Sequence, residues 1–287
     1  METIILDGKR ISQTIKEQLA IQVQDLKTYG IIPCLATILV GDDPASETYV
    51  RMKNNACKKI GIDSRQIHLS KETTTKELLD TIEKLNQDEA VHGILLQHPV
   101  PSHIDERQAF EAINIAKDVD GVTSIGYGQT ALGFGKYASC TPAAIIKVLD
   151  FYKLTIAGKH AVVVGRSPIL GKPVSALLLN RDATVTICHS HTKNLAGIIQ
   201  QADIVVAAVG HPELIQGDWI KKGAVVLDAG YNKNNIGDVD YAACYENASA
   251  ITPVPGGIGP VTISMLLKHT LEAAALTRAY STTHRMC

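Results

Sequence analysis

No two of the six cysteines (Cys34, Cys57, Cys140, Cys188, Cys244 and Cys287) lie close enough to form a CxxC pair. That spacing argues against a zinc ribbon, a dithiol redox motif and a disulfide-stapled scaffold, and it suits a reducing cytosol. No apolar run reaches 18 residues, so no bilayer-spanning helix is expected. The opening METIILDGKRISQ lacks the basic-then-apolar order of a secretory signal. Neither sign of charge is in excess: 28 Lys and Arg stand against 29 Asp and Glu. Such a balance does not mark a nucleic-acid binder or a membrane-surface protein. Repeats and low-complexity segments are also missing. The expectation is a cytoplasmic protein with a small-molecule substrate, and neither nucleic acid nor membrane as a partner.

What is present is an alternation of strands and helices. At roughly 150 residues per domain, 287 residues predict two domains. In the first half, Ile11, Ile15, Leu19 and Val23 recur four apart and predict a helix over 9–29. Strands follow at 34–41, 65–69 and 91–97, with helices from the DDPASE turn to about residue 60, at 74–86 and at 105–113. Residues 117–136 are too rich in glycine and turn formers to be one regular element. The second half begins near Thr141 with a helix at 143–152. Apolar strands are expected at 161–165, 183–188, 203–210 and 223–230, with helices at 172–180 and 194–202 between them. Gly-bounded β-branched runs alternating with helices signal a parallel sheet covered on both faces. A last helix, 262–277, precedes a polar tail expected to fray.

The stretch GRSPILGKP (165–173) follows a buried strand and opens a helix. That is where a dinucleotide pyrophosphate meets backbone N–H groups and the positive end of a helix dipole. An ordinary strand-to-helix turn uses the same residue types, so the loop alone leaves both readings open. The next strand ends in CHSHT (188–192), without the carboxylate that NAD-binding folds place against the adenosine ribose. A carboxylate would repel a 2′-phosphate, whereas Ser190, His189 or His191 could donate to one and Arg166 could pair with it. NADP is therefore favoured over NAD. The HxH pair lacks further ligands nearby, and no metal is expected.

Tyr49 and Lys53 lie four apart on one helix and share a face. Gln97 ends the strand 91–97, and Asp120 lies in KDVDG. Ligands gather at the carboxyl ends of strands in open α/β sheets, so the four could converge. Each also has an ordinary reading: a solvated lysine, a packing tyrosine, a strand-capping glutamine, an Asx turn before Gly121.

These residues resemble a known family. The blocks ASETYVRMK (45–53), GILLQHPVP (93–101), KDVDG (117–121), CTP (140–142), GRSPILGKP, TVTICHSHT (184–192), ADIVVAAVG (202–210) and TPVPGGIGPVT (252–262) occur in the order and spacing of the bifunctional methylenetetrahydrofolate dehydrogenase/cyclohydrolases. The resemblance covers nearly the whole chain. It implies two α/β domains, the second a Rossmann-type doubly wound parallel sheet, with the active cleft between them. Residues 1–140 would form the folate-binding catalytic domain, with the C-terminal helix 262–280 packing back on it, and 141–261 the NADP-binding domain. It implies a cytoplasmic homodimer in the one-carbon metabolism that feeds purine biosynthesis. The enzyme would oxidise 5,10-methylenetetrahydrofolate with NADP and hydrolyse the methenyl product to 10-formyltetrahydrofolate.

By the same resemblance Lys53 is central to hydrolysis, Tyr49 orients the folate rings, Gln97 holds Lys53 and Asp120 binds the pterin edge. Gly165, Arg166 and Ser167 would bind NADP, with Ser190 near its 2′-phosphate and Tyr231 touching the cofactor. Pro255, Gly256 and Gly257 would let backbone approach the bound rings. Hydride transfer needs only ring orientation. Hydrolysis needs a proton carrier, and a lysine serves only if part of it is neutral. The chain departs from the family at QHPVP, usually QLPLP, so His98 and Val100 replace leucines. VTSIGYGQT (122–130) replaces FHPxNxGRL, Ser139 replaces a proline, and Val261 stands where Met is common. Two alternatives compete: a shikimate-type dehydrogenase, which would not need Gln97 or the TPVPGGIGP loop, and a non-enzymatic dinucleotide sensor on the same fold.

Overall fold

The computed structural model describes residues 2–283. The chain runs through β1 (Ile4–Ile5), α1 (Gly8–Thr28), β2 (Cys34–Val40), α2 (Pro44–Ile60), β3 (Asp63–Leu69), α3 (Thr75–Gln87) and β4 (Gly93–Leu96). It continues with α4 (Glu106–Glu111), α5 (Ser124–Ala131), α6 (Cys140–Phe151), β5 (His160–Val164), α7 (Gly171–Leu179), β6 (Thr184–Cys188) and α8 (Leu195–Ile199). The last elements are β7 (Ile204–Ala207), β8 (Val225–Asp228), α9 (Tyr241–Tyr245), β9 (Ala250–Ile251) and α10 (Ile258–Thr283). Among the described residues no helix is long and apolar enough to cross a membrane.

Two compact units form, one of residues 14–126 and 266–287, the other of residues 1–13 and 127–265. The first holds a three-stranded parallel sheet in the order β3-β2-β4. Every residue of β2 and β4 is buried, as the continuous apolar runs CLATILV and GILL require of strands covered on both faces. The second holds a six-stranded parallel sheet in the order β1-β9-β8-β7-β5-β6. Taken from β5 onward, its strands read 2-1-3-4-5, a doubly wound order whose switch point lies between β5 and β7. Val162, Val205, Val226 and Ile251, all fully buried, lie in the core on one side of this sheet.

The expected elements are present, with boundaries moved by up to six residues, and four features differ. The short strands β1 and β9 were not expected; β1 places the extreme N-terminus at an edge of the six-stranded sheet. The five-residue α9 was also unexpected. Within the turn-rich 117–136, residues 124–131 form α5 despite two glycines. Its first turn is satisfied from a distance: the Glu111 carboxylate accepts from the Ser124 backbone N–H at 3.0 and 3.1 Å and from the Ser124 hydroxyl at 2.8 Å. The tail expected to fray beyond 277 remains helical to Thr283, and 284–287 lie outside the described residues.

Candidate active site

In the three-stranded unit, α2 is set by its ends. The Asp43 side chain caps it by accepting from the Ser46 N–H at 2.8 Å, Pro44 occupies its first turn, and Gly61, at φ 82°, closes it. These caps fix Tyr49 and Lys53 one turn apart on one face. Gln97 follows β4 directly; its backbone N–H donates to Ile38 O at 2.8 Å, which continues the β2–β4 ladder. Lys53 Nζ donates to Gln97 Oε1 at 3.0 Å. Gln97 is only 8% exposed, and its Nε2 donates to His98 O at 2.7 Å. The amide is thus held at both ends, with its acceptor turned to the amine.

KDVDG divides its two aspartates between two tasks. The buried Asp118 accepts from the Val122 and Thr123 backbone N–H groups at 3.0 and 2.9 Å. Burial pushes its carboxyl above the ordinary range. The turn that sequence reasoning allowed for Asp120 therefore belongs to Asp118. Asp120 is half-buried. It follows Val119, whose carbonyl accepts from the buried His269 Nδ1 at 2.9 Å. Gly93 is needed beneath this segment, because a Cβ there would lie 2.7 Å from a Val119 methyl.

In the six-stranded unit, Val164, Cys188 and Ala207 are paired across adjacent parallel strands. The loops after β5, β6 and β7 therefore leave the sheet side by side at the switch point. Gly165 has φ 129°, and a Cβ there would lie 2.1 Å from Ala208 O. A Cβ on Gly171 would lie 2.2 Å from Gly165 O. Only glycine allows backbone this close. Ser167 Oγ accepts from Leu170 N at 3.1 Å and Gly171 N at 3.4 Å, so it orders the loop ahead of α7. Arg166 and Ser190 are exposed. The CHSHT turn is tied by the Thr192 hydroxyl accepting from His189 N at 2.8 Å and by His189 Nδ1 accepting from His191 N at 3.2 Å. Tyr231, 53% exposed after β8, donates its hydroxyl to Asn235 Oδ1 at 2.5 Å.

Gly256 and Gly257 pack against the N-terminal LDGK segment. The Gly8 N–H donates to Gly256 O at 2.9 Å, and a Cβ on Gly8 would overlap Gly257 O. Pro255 beside them is exposed. Gly8 thus admits the Gly257 carbonyl, while a Cβ on Gly257 would lie 2.5 Å from Pro253 O within its own turn.

Sequence reasoning missed two buried carboxylates under the loops after β7 and β8. Asp238 Oδ2 accepts from Val209 N at 2.7 Å and Gly210 N at 2.9 Å, and its Oδ1 from Asn232 Nδ2 at 3.0 Å. Asp228 Oδ1 accepts from Gly230 N at 2.8 Å and Asp238 N at 3.1 Å, and its Oδ2 from Val239 N at 3.0 Å. Burial, reinforced by Asp238, pushes the Asp228 carboxyl up to about 6. The only sequence signal was an aspartate ending an apolar strand.

Asp42, Glu47 and His68 each bring one potential metal-ligand atom to within 4.8 Å of the others. All three are exposed, and His68 Nε2 already bonds Gly41 O at 2.9 Å. The loops after β5 and β6 suit a phosphorylated dinucleotide: close-packed glycine backbone, a helix start, an exposed arginine, and no carboxylate at the end of β6.

Residues 6–120 match the family described as tetrahydrofolate dehydrogenase/cyclohydrolase, catalytic domain, and residues 139–278 match its NAD(P)-binding domain. Bifunctional protein FolD of Shouchella clausii is 70% identical over 273 residues, covering 95% of this chain and 98% of that protein. The crystal structure of the bifunctional FolD methylenetetrahydrofolate dehydrogenase/cyclohydrolase from Campylobacter jejuni is similar, with a TM-score of 0.94 and 45% identity, over 96% of this chain and 99% of that one. The Trypanosoma brucei N5,N10-methylenetetrahydrofolate dehydrogenase-cyclohydrolase, solved with NADP cofactor and an inhibitor, superposes with a TM-score of 0.93. It is 38% identical over 96% of this chain and 99% of that one.

Proposed function

Since the chain belongs to the tetrahydrofolate dehydrogenase/cyclohydrolase family, we propose how its residues divide the family's two reactions. The protein oxidises 5,10-methylenetetrahydrofolate to the methenyl form with NADP and hydrolyses that product to 10-formyltetrahydrofolate. Both family models and the 70% identical relative favour this over a shikimate-type dehydrogenase or a sensor.

The unit of residues 14–126 and 266–287 takes the folate, and the unit of residues 1–13 and 127–265 takes NADP. Arg166 and Ser190 face the 2′-phosphate, while Gly165, Ser167 and the start of α7 offer backbone N–H groups to the pyrophosphate. Tyr231 lies against the cofactor. When bound, NADP supplies the hydride acceptor. Oxidation leaves a cation delocalised over two nitrogens, so no protein base is needed for it. Tyr49 orients the rings, and Asp120 accepts from the pterin edge.

Hydrolysis asks more of the chain. Water adds to the amidinium carbon and loses one proton to solvent; the bond from that carbon to N5 then breaks as the remaining hydroxyl proton passes to N5, which leaves a neutral formyl group on N10. Lys53 carries the proton between oxygen and nitrogen, and Gln97 aims its amine. The observation that carries this reading is the 3.0 Å bond from Lys53 Nζ to Gln97 Oε1. For Lys53→Met the expected result is loss of methenyltetrahydrofolate hydrolysis by at least about 100-fold, the scale of general acid–base catalysis, with NADP-dependent oxidation largely kept. Loss of near-ultraviolet methenyl absorbance without NADP measures the first, and NADPH formation the second. Equal losses would reject the role.

We further propose that the protein works in the cytoplasm as a homodimer. Five buried free thiols among the described residues support the compartment, and the family likeness supports the dimer.

A further inference from the structure

Gln97 stands at the start of a turn that is tied to a helix by one side chain. Glu106 Oε1 accepts from the His98 ring Nδ1–H at 2.6 Å and from the Val100 backbone N–H at 3.3 Å. Glu106 opens α4, whose preceding residue Asp105 caps the helix by accepting from Gln108 N at 2.9 Å. One carboxylate on a capped helix therefore grips both sides of Pro99. Within that grip, the His98 carbonyl accepts from Gln97 Nε2 at 2.7 Å.

This last bond determines which end of the Gln97 amide meets Lys53. With Nε2 held by the turn, Oε1 is left to accept from the amine. If the His98 carbonyl moved, the amide could rotate and oppose Nζ with a second donor, and the aim of the lysine would be lost. The pair itself is partly exposed, with 48% of the His98 side chain and 28% of the Glu106 side chain accessible. Ion pairs this open contribute little to folding stability.

We propose that His98 and Glu106 are a positioning pair for the hydrolytic reaction: they clamp the 97–100 turn and so fix the Gln97 amide that aims Lys53. The proposal rests on the reading of Lys53 and Gln97 given above. Neither residue touches the reacting atoms. Their effect passes through the His98 carbonyl and falls on hydrolysis, because hydride transfer has no need of the lysine.

The test uses the full-length enzyme with Glu106→Ala, Glu106→Gln, His98→Leu, the double variant His98→Leu/Glu106→Ala, and Gln97→Ala. Methenyltetrahydrofolate hydrolysis without NADP and NADP-dependent oxidation of methylenetetrahydrofolate are measured side by side, with thermal midpoints. Glu106→Ala is expected to lower hydrolytic kcat about tenfold, the size of one charge-assisted hydrogen bond. Its folate KM and oxidation kcat should stay within about twofold, as expected for a change confined to one step. Glu106→Gln keeps an oxygen acceptor and should recover most of the loss. The double variant should be no worse than Glu106→Ala alone, because both changes open the same clamp. Unchanged hydrolysis in Glu106→Ala, or equal losses in both activities with a lowered midpoint, overturns the proposal. If Gln97→Ala leaves hydrolysis intact, the Lys53–Gln97 reading falls and the pair with it. If Gln97→Ala impairs hydrolysis while Glu106→Ala does not, only the clamp falls.

Discussion

Two buried titratable side chains pull stability in opposite directions as pH changes. His92 Nδ1 accepts from the Cys34 backbone N–H at 3.2 Å, a bond that only the neutral ring makes, and burial lowers its pKa below the ordinary 6.5. Below that value the unfolded chain binds the proton more readily, so stability from His92 is present above pH 6.5 and is lost as pH falls. Asp228 behaves oppositely. Its folded carboxyl titrates at about 6 against 3.8 unfolded, so its contribution is complete below 3.8 and is lost as pH rises through about 6. The span is of order 3 kcal/mol. In urea unfolding, the advantage of the natural protein over Asp228→Asn should shrink between pH 4 and pH 7, while its advantage over His92→Gln should grow. Parallel slopes for variant and parent would refute either assignment. Asp228→Asn should also cost about 1–3 kcal/mol throughout, because an amide NH₂ would face a backbone N–H.

On the proposed reading, cofactor choice falls to the loop from β5 into α7 together with the turn after β6. A methyl group on Gly165 has no room beside Ala208 O, and its φ of 129° is foreign to other residues. Gly165→Ala is therefore expected to lower the thermal midpoint and weaken NADP binding at least about tenfold, since strain of 1–3 kcal/mol falls on the loop itself. Arg166→Ala leaves the backbone intact and should raise KM for NADP about tenfold or more while barely changing KM for NAD. Equal effects on both cofactors would remove Arg166 from the phosphate. This element was legible in sequence because glycine, a buried strand and a helix start lie within nine residues. The helix α5 was not, because the carboxylate at its first turn, Glu111, lies thirteen residues away. The strands β1 and β9 have two residues each, too few to show a period.

On the scale of the whole molecule, the chain passes between its two compact units three times, at 13/14, 126/127 and 265/266. The 266–283 stretch belongs with the three-stranded unit, where His269 holds the Val119 carbonyl and Thr270 lies close to Gly93. A chain ended after Met265 would lose these groups and the buried Leu266, Leu267, Leu271 and Ala274. At about 1.5–3 kcal/mol for each fully buried leucine, the loss approaches the whole stability of a domain. Such a truncation should fail to give cooperative unfolding by circular dichroism; a sharp transition near the parent midpoint would contradict that.

The amino-acid sequence by itself determined the two α/β units, the parallel sheets, the glycine-bearing loop after β5 and the choice of Tyr49, Lys53, Gln97 and Asp120 as candidates. Those features rest on local period, on glycine's backbone freedom and on motif spacing, all written along the chain. Tertiary structure alone decided which aspartate of KDVDG makes the turn and which end of the Gln97 amide meets Lys53. It alone showed that Asp228 and Asp238 brace the loops after β7 and β8, and that Glu106 clamps the turn behind Gln97. Each of those outcomes depends on a hydrogen bond between groups apart in sequence, and direction and partner exist only once the backbone has folded.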